Sequence, residues 1–365
     1  MSANTRNLGL PIHELETPAL CIDLPAYRRN VARMVAFIHK HGLAWRPHMK
    51  GQKAVELARE AVNAGAIGVT CATVYEAETM AHGGVRNILI ANQPAGERKL
   101  ARLAGLQAVT PVLTATDSRE HAAQLAAAAN EAGAAIPVLI EVDVGMGRCG
   151  IAPGEPAVRL AEYIDSTTGL TFAGIMGWEG HVLAFEGEEK KKKIEESLAL
   201  LTATAQAIRD AGFEVGIVSA SGSGTFRLSS AVEGITEVQA GGGVFSDLSY
   251  EKWGLDHEFA LTVLSRVISR PSATRIIVDA GFKSMSVQHG MPKPIGLGPV
   301  KKIVLSAEHG NIELEEPDTA HRVGNTVAFI PGYTDSTLCL HDEICVLTDG
   351  TLHAVWAIPG RTGRR

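Results

Sequence analysis

A short segment at residues 44–53, AWRPHMKGQK, joins the end of an apolar strand to side chains that can do chemistry. Arg46, His48 and Lys50 stand at alternate positions, with a proline between the first two. A lysine at a strand end can form a Schiff base with a carbonyl group if its pKa is lowered. We expect burial and the charge of Arg46 to lower the pKa of Lys50. Lys53 is the alternative lysine, and we expect it to be the more exposed of the two.

Two glycine-rich segments provide a second signal, a site for a phosphate group. They are SGSGT at residues 221–225 and AGGG at residues 240–243, and each follows a strand-like segment. Glycine lets backbone N–H groups approach an anion closely, and the hydroxyls of Ser223 and Thr225 can also donate. A phosphate site together with a strand-end lysine indicates pyridoxal 5'-phosphate, which needs an anchor for its phosphate and an amine for its aldehyde.

These residues need a fold that gathers the ends of several strands. Eight short apolar segments alternate with Ala-rich amphipathic helix patterns such as SREHAAQLAAAANEAG. Buried parallel strands have this composition, and eight of them close a (β/α)8 TIM barrel, although a doubly wound open sheet would also alternate. After about residue 255 the pattern predicts a mostly antiparallel β domain. The early strand PALCIDL could pair with it, so we place the barrel at residues 25–255 and the β domain at residues 1–24 and 256–365.

In such a barrel, function gathers at the carboxyl ends of the strands. The segment EVDVGMGRCG carries Arg148 at one strand end, and MGWEGH carries Trp178, Glu179 and His181 at the next. We expect His181 to act in the site as a titratable base. For Trp178 we favour a role in packing.

Composition and charge restrict the class of protein. The chain has 365 residues, of which 45% are hydrophobic, and a formal net charge of −6, which does not favour binding to nucleic acid or an anionic membrane. No apolar run approaches the roughly 20 residues of a membrane span, and the first residues do not resemble a signal peptide. We therefore expect a cytoplasmic protein. Its five cysteines have no C-x-x-C spacing and indicate buried free thiols rather than a zinc site.

The chain resembles the D-threonine aldolase and D-serine dehydratase family, fold-type III pyridoxal-phosphate enzymes related to alanine racemase. The segments TPALCIDLPAYRRNVARM, RPHMK, EVDVGMGRCG, SGSGT, EVQAGG, VDAGFKSMS and AEHG occur in the family's order over nearly the whole chain. The resemblance implies that Lys50 is the Schiff-base lysine and that Arg148 lies near the cofactor ring. It implies a homodimer, and phosphate contacts from Ser223, Gly224, Thr225, Gly241 and Gly242.

The family's divalent metal site is altered in this sequence. Metal-dependent members use a His-x-Asp or His-x-Cys pair, whereas here the segment reads PGYTDST, with Tyr333 at the histidine position and Asp335 at the carboxylate position. A neutral tyrosine is a poor ligand for a hard divalent ion. We hypothesise that the metal site is lost and that Tyr333, Asp335 or His181 acts directly as acid or base. Two alternatives remain: His341 or His181 completes a rebuilt metal site, or Tyr333 is only a buried, hydrogen-bonded tyrosine.

The resemblance predicts a lyase that cleaves a small β-hydroxy-D-amino acid to glycine and an aldehyde, as D-threonine aldolase does. A β-hydroxy-D-amino acid dehydratase and an amino-acid racemase or epimerase are alternatives that use the same cofactor. A pyridoxal-phosphate-binding protein without turnover is the alternative outside enzymes. The expected partner is a small amino-acid substrate, with no nucleic acid and no membrane.

Overall fold

A computed structural model describes residues 8–361 of the chain. Its contacts divide these residues into two compact units. The barrel unit comprises residues 33–241, and the β unit comprises residues 8–32 together with Gly242–Arg361. Residues 1–7 and 362–365, which the predicted β domain includes, lie outside the described residues.

Strand β1 and helix α1 open the described chain at Ala19–Asp23 and Leu24–Lys40. The strands of the barrel unit are β2 (Ala44–Trp45), β3 (Val69–Cys71), β4 (Ile88–Ile90), β5 (Val112–Thr116), β6 (Ile136–Glu141), β7 (Leu170–Met176), β8 (Ile217–Ala220) and β9 (Glu237–Val238). Its helices are α2 (Val55–Asn63), α3 (Val74–His82), α4 (Glu97–Leu106), α5 (Arg119–Glu131), α6 (Glu155–Asp165), α7 (Gly187–Asp210) and α8 (Phe226–Ser229).

The eight strands of the barrel unit are parallel and run round in a ring. Each strand from β3 to β9 pairs with the next, and β9 pairs with β2. Backbone hydrogen bonds close the ring, because the N–H groups of Ile67 and Thr70 donate to the carbonyls of Trp45 and Pro47. Apolar side chains from neighbouring strands, including Leu89, pack against one another as a core. The predicted parallel barrel is confirmed, and its strand ends share one edge.

The β unit contains a mostly antiparallel sheet. Its remaining elements are α9 (Leu248–Lys252), β10 (Leu261–Ser272), β11 (Arg275–Val278), β12 (Lys293–Pro294), β13 (Val300–Leu305), β14 (Gly310–Leu314), β15 (Thr326–Ile330), α10 (Thr334–Leu338), β16 (Glu343–Thr348) and β17 (Thr351–Ala357). Strand β1, within the segment PALCIDL, pairs antiparallel with β10 and parallel with β16. Its inward side chains join Leu264 and Leu347 in one core, so the N-terminal strand is a central part of this sheet.

Within residues 8–361, the helices are either too short or too polar to cross a membrane. The five cysteines carry free thiols, and three of them, Cys21, Cys71 and Cys345, are buried.

Candidate active site

Lys50 lies in a short helical turn, Met49–Gly51, at the carboxyl end of β2. The backbone N–H of Lys50 donates to Nδ1 of His48 at 3.3 Å, which caps the turn. Burial, and then the charges of Lys50, Lys53 and Arg148, hold the pKa of His48 well below its ordinary value. The imidazole is therefore neutral, as an acceptor at Nδ1 requires. The side chain of Lys50 is exposed rather than buried as predicted, because the turn carries it out of the strand.

The side chain of Arg46 binds other residues of the barrel unit, not Lys50. Its guanidinium is buried and forms a paired contact with the Glu237 carboxylate, at 2.9 Å for the shortest bond. It also donates to the backbone and side-chain oxygens of Asn87, at 2.6 and 2.8 Å. Glu237 and Asn87 stand at the amino ends of β9 and β4, whereas Lys50 follows the carboxyl end of β2. The guanidinium of Arg46 is therefore engaged with Glu237 and Asn87 rather than directed at Lys50.

Lys53 is the more enclosed of the two lysines, which also reverses the prediction. Its side chain is 14% exposed and its ammonium group pairs with Glu76, whose side chain is 1% exposed. The second oxygen of Glu76 accepts the backbone N–H of Ala72 at 2.7 Å. Lys53 has a backbone φ of 55°, in the left-handed region, so its ion pair fixes a strained turn directly after Lys50. The ammonium group of Lys53 is thus held in an ion pair with Glu76, whereas the side chain of Lys50 is exposed.

Arg148 lies in the loop that follows β6 and faces the same aromatic ring as Lys50. Its Cζ is 5.0 Å from the ring centroid of Trp178, and the Nζ of Lys50 is 5.8 Å from that ring. Arg148 Nη2 is 3.9 Å from the buried Glu141, which also accepts a hydrogen bond from Gln93 at 2.5 Å. Burial raises the pKa of Glu141, while Gln93 and Arg148 oppose that shift. Trp178 is half-buried, and its indole lies beside both cations.

The segment SGSGT forms a tight turn ahead of α8. Ser221 has φ +74°, and its hydroxyl is buried without a hydrogen-bond partner among the described residues. The buried Glu179 carboxylate accepts the backbone N–H of Ser221 at 3.3 Å and the hydroxyl of Ser229 at 2.8 Å. The Thr225 hydroxyl accepts from the N–H of Gly222 and donates to its carbonyl, so it serves the turn itself. Ser223 is buried and Gly224 half-buried in the same turn.

The glycines after β9 contact the backbone beside the turn Met49–Gly51, which is called the lysine turn below. A Cβ atom on Gly241 would lie 2.1 Å from the carbonyl oxygen of His48, so only glycine fits there. The side-chain amide of Gln52, which is buried, donates to the Gly241 carbonyl at 3.1 Å. The indole N–H of Trp45 donates to the Ala240 carbonyl at 2.8 Å. The lysine turn and the start of the AGGG segment are therefore held side by side.

These groups of the barrel unit fit pyridoxal phosphate. Lys50 offers an exposed amine and Arg148 a guanidinium within reach of the same ring. The buried hydroxyl of Ser221 lacks a partner that a phosphate oxygen could supply. A side chain on Gly241 would collide with the backbone beside the lysine.

Tyr333 and Asp335 belong to a compact polar cluster within the β unit. One oxygen of Asp335 accepts the Tyr250 hydroxyl at 3.1 Å, and the other accepts the Tyr333 hydroxyl at 3.0 Å. Burial and the charge of Asp335 raise the pKa of Tyr333 far above its ordinary value, and the pKa of Tyr250 is raised for the same reasons. A Cβ on Gly242 would lie 2.1 Å from the Tyr250 hydroxyl and 2.5 Å from Asp335. Both phenols therefore stay protonated and donate to the carboxylate.

Asp247 holds the two short helices of this cluster together. Its Oδ1 accepts the N–H groups of Ser249 and Tyr250, at 2.9 and 2.8 Å. Its Oδ2 accepts the N–H and hydroxyl of Thr334, at 2.7 and 2.8 Å. Burial outweighs these bonds and raises the pKa of Asp247 from 3.8 to about 6. The sequence prediction did not include Asp247 and Tyr250, although an aspartate at the start of a helix pattern is a readable capping signal.

The two histidines considered as metal ligands have other neighbours. His341 Nε2 donates to the Ser284 carbonyl at 2.9 Å, and burial lowers its pKa. His181 Nε2 lies 3.4 Å from the Ser197 hydroxyl, and its buried Nδ1 has no hydrogen-bond partner within residues 8–361. The described part of the chain contains no group of three His, Cys, Asp or Glu side chains placed to hold a metal ion.

Comparison with known proteins gives matches over nearly the whole chain. The family model described as alanine racemase, N-terminal domain, matches residues 22–248, and the one described as putative serine dehydratase domain matches residues 260–347. The chain is 33% identical to D-threonine aldolase of Arthrobacter sp. over 358 residues, which cover 97% of this chain and 94% of that protein. It is 32% identical to 3-hydroxy-D-aspartate aldolase of Paracoccus denitrificans strain Pd 1222 over 367 residues, with the same coverage. The crystal structure of D-threonine aldolase from Filomicrobium marinum is similar at a TM-score of 0.94 and 32% identity, covering 97% of this chain and 98% of that one.

Proposed function

Because this chain belongs to the D-threonine aldolase and D-serine dehydratase family of alanine-racemase-like proteins, we propose that it is a pyridoxal-phosphate-dependent lyase. Its substrate is a small β-hydroxy-D-amino acid, which it cleaves between Cα and Cβ to glycine and an aldehyde. The observation that carries the proposal is the approach of Lys50 and Arg148 to one indole ring at the carboxyl edge of the barrel.

The barrel unit supplies the groups that would hold the cofactor. Lys50 provides the amine, and Arg148 provides a cation for the ring. The two glycine-rich turns would hold the phosphate: to the predicted Ser223, Gly224, Thr225, Gly241 and Gly242, of which Gly242 begins the β unit, we add Ser221. When bound, pyridoxal phosphate supplies an electron sink for the negative charge that bond cleavage leaves on Cα. The exposed position of the Lys50 side chain would give it room to move when a substrate amine takes its place.

The substrate hydroxyl must lose its proton as the Cα–Cβ bond breaks. We assign this proton to the carboxylate of Asp335, which stands at the family's carboxylate position and accepts the hydroxyls of Tyr250 and Tyr333. Tyr333 acts as a donor and not as a base, since its raised pKa keeps the phenol protonated. His181 is the other candidate base, and its contacts with Gly145 and Ser197 place it beside the Arg148 loop. That both units serve one reaction rests on the family motifs.

The residues at the family's metal position do not fit a divalent ion. Tyr333 replaces the histidine, and both oxygens of Asp335 already accept hydrogen bonds from phenols. His341 donates from Nε2 to the Ser284 carbonyl, and within residues 8–361 no group of three His, Cys, Asp or Glu side chains is placed to hold a metal ion. The proposed reaction therefore uses side chains for proton transfer, and no step depends on a metal.

Proton NMR of the purified protein with pyridoxal phosphate and D-threonine, with and without chelator, tests the proposal. We expect glycine and acetaldehyde in both samples, and neither product from Lys50→Ala. 2-Oxobutanoate and ammonia would identify a dehydratase, the alternative that the match to a putative serine dehydratase domain favours. Deuterium at Cα without fragmentation would identify a racemase. Bound cofactor with unchanged D-threonine and D-3-hydroxyaspartate would identify a binding protein without turnover.

The proposal includes a homodimer in the cytoplasm, as the sequence and its resemblance predicted. Sedimentation equilibrium of the purified chain tests the first part, since a monomer of 38.6 kDa and a dimer differ twofold in mass. Cell fractionation tests the second.

A further inference from the structure

Trp178 stands where three segments of the barrel edge meet. It follows β7 by two residues and is only half-buried. A Cβ atom on Gly180 would lie 2.5 Å from its six-membered ring, and one on Gly222 would lie 3.1 Å from its indole nitrogen. Glycine backbone therefore packs directly against the indole, which fixes its position beside the SGSGT turn.

Two cationic side chains, Lys50 and Arg148, lie beside the indole ring of Trp178. The Lys50 ammonium and the Arg148 guanidinium are 5.8 and 5.0 Å from the ring, within the range of cation–π attraction. Two like charges gathered at one place repel each other, and an aromatic face offsets part of that cost. The ring therefore has two cations beside it in addition to the glycine backbone.

We propose that Trp178 is a wall of the cofactor site and that the ring of bound pyridoxal phosphate lies against its indole. This inference rests on the proposed function for the identity of the cofactor. A cofactor ring joined through one carbon to Lys50 Nζ would lie within reach of Arg148 and of the indole, because the two cations are 5.8 and 5.0 Å from that indole. Trp178 thus contributes contact area to the cofactor and also orients the guanidinium of Arg148.

Fluorine NMR of the whole chain labelled with 5-fluorotryptophan tests this contact without using activity. The chain has four tryptophans, Trp45, Trp178, Trp253 and Trp356, so four resonances are expected. Trp178→Phe assigns the resonance of interest, and Trp356→Phe, in strand β17, assigns the control. Pyridoxal phosphate is added to cofactor-free protein while its absorbance reports binding. We expect the Trp178 resonance to shift with occupancy and the Trp356 resonance to stay in place.

The outcomes separate the inference from the proposed function. If absorbance shows that Lys50 is occupied while the Trp178 resonance is unmoved, the inference is overturned and the proposed function stands. If absorbance shows no binding to the chain, both are overturned. Cofactor titrations provide a second test: Trp178→Leu, which removes the aromatic face, should raise the dissociation constant roughly tenfold, whereas Trp178→Phe should raise it less than about threefold. Equal effects of the two variants would contradict the aromatic role, and Trp356→Phe should match the wild type.

Discussion

Replacing Lys53 by methionine tests whether Lys53 stabilises the fold while Lys50 binds the cofactor. The variant keeps the length of the side chain and removes its charge, which leaves the carboxylate of Glu76 without its cation at 1% exposure. Removing one partner of a buried ion pair costs about 3–5 kcal/mol, because the remaining charge stays desolvated. We expect the lower end of this range, since Glu76 keeps the N–H of Ala72. Lys50→Met should change stability by less than about 0.5 kcal/mol, because Lys50 is exposed.

Urea unfolding of the cofactor-free chain measures these differences. The double variant Lys53→Met with Glu76→Gln removes the stranded charge, so it should recover at least about half of the loss. Cofactor absorbance gives the converse pattern: Lys50→Met abolishes attachment, whereas Lys53→Met retains it with weaker affinity. If Lys53→Met lost less than about 1 kcal/mol, or if the double variant were no better than the single one, the buried ion pair would not hold this turn.

Three further predictions concern the cofactor turn and the β unit. Gly241→Ala should abolish cofactor binding, measured by absorbance, because its Cβ would lie 2.1 Å from the backbone carbonyl oxygen of His48, whereas Gly298→Ala, whose Cβ would have no atom within 4 Å, should bind normally. The pKa of Asp247 is raised from 3.8 to about 6, so its contribution to stability is fully present below pH 3.8 and is lost as the pH rises through 6, a change of about 3 kcal/mol. The free energy of unfolding, plotted against pH, should therefore have a different slope in the wild type and in Asp247→Asn over this range. Parallel plots would contradict the shift. Asp335→Asn should lower kcat for D-threonine at least about a hundredfold as a lost base, and equal rates in the two proteins would refute that role.

Much of the fold follows from local pattern. Short apolar segments of buried strands differ plainly from the amphipathic helices between them, and all eight predicted barrel segments contain a strand. The strand PALCIDL was recognisable because it precedes the first helix and has no place in a ring of eight. Strand β10, from Leu261 to Ser272, was not predicted, since its outer end is polar and ends in proline and serine.

The contents of the site were less readable, because side-chain direction depends on contacts far along the chain. Arg46 looked like a neighbour of Lys50, yet its partner Glu237 lies 191 residues away. The sequence predicts that Lys53 is more exposed than Lys50, and the structure shows the reverse. The cause is again a distant partner, because Lys53 pairs with the buried Glu76 of helix α3. Tyr250 reaches Asp335 across 85 residues. A local sequence pattern cannot indicate pairs of residues so far apart in the chain. The lysine at a strand end and the glycine-rich segments, in contrast, can be recognised from the adjacent residues alone.

The most direct measurement of the central claim is the position of the cofactor on the chain. Pyridoxal phosphate is added to the purified protein, the complex is reduced with borohydride, and the digest is mapped by mass spectrometry. We predict a single pyridoxyl group on the peptide that contains Lys50, absent from Lys50→Ala. Label on Lys53, or label spread over surface lysines at equal levels, would contradict the site described here.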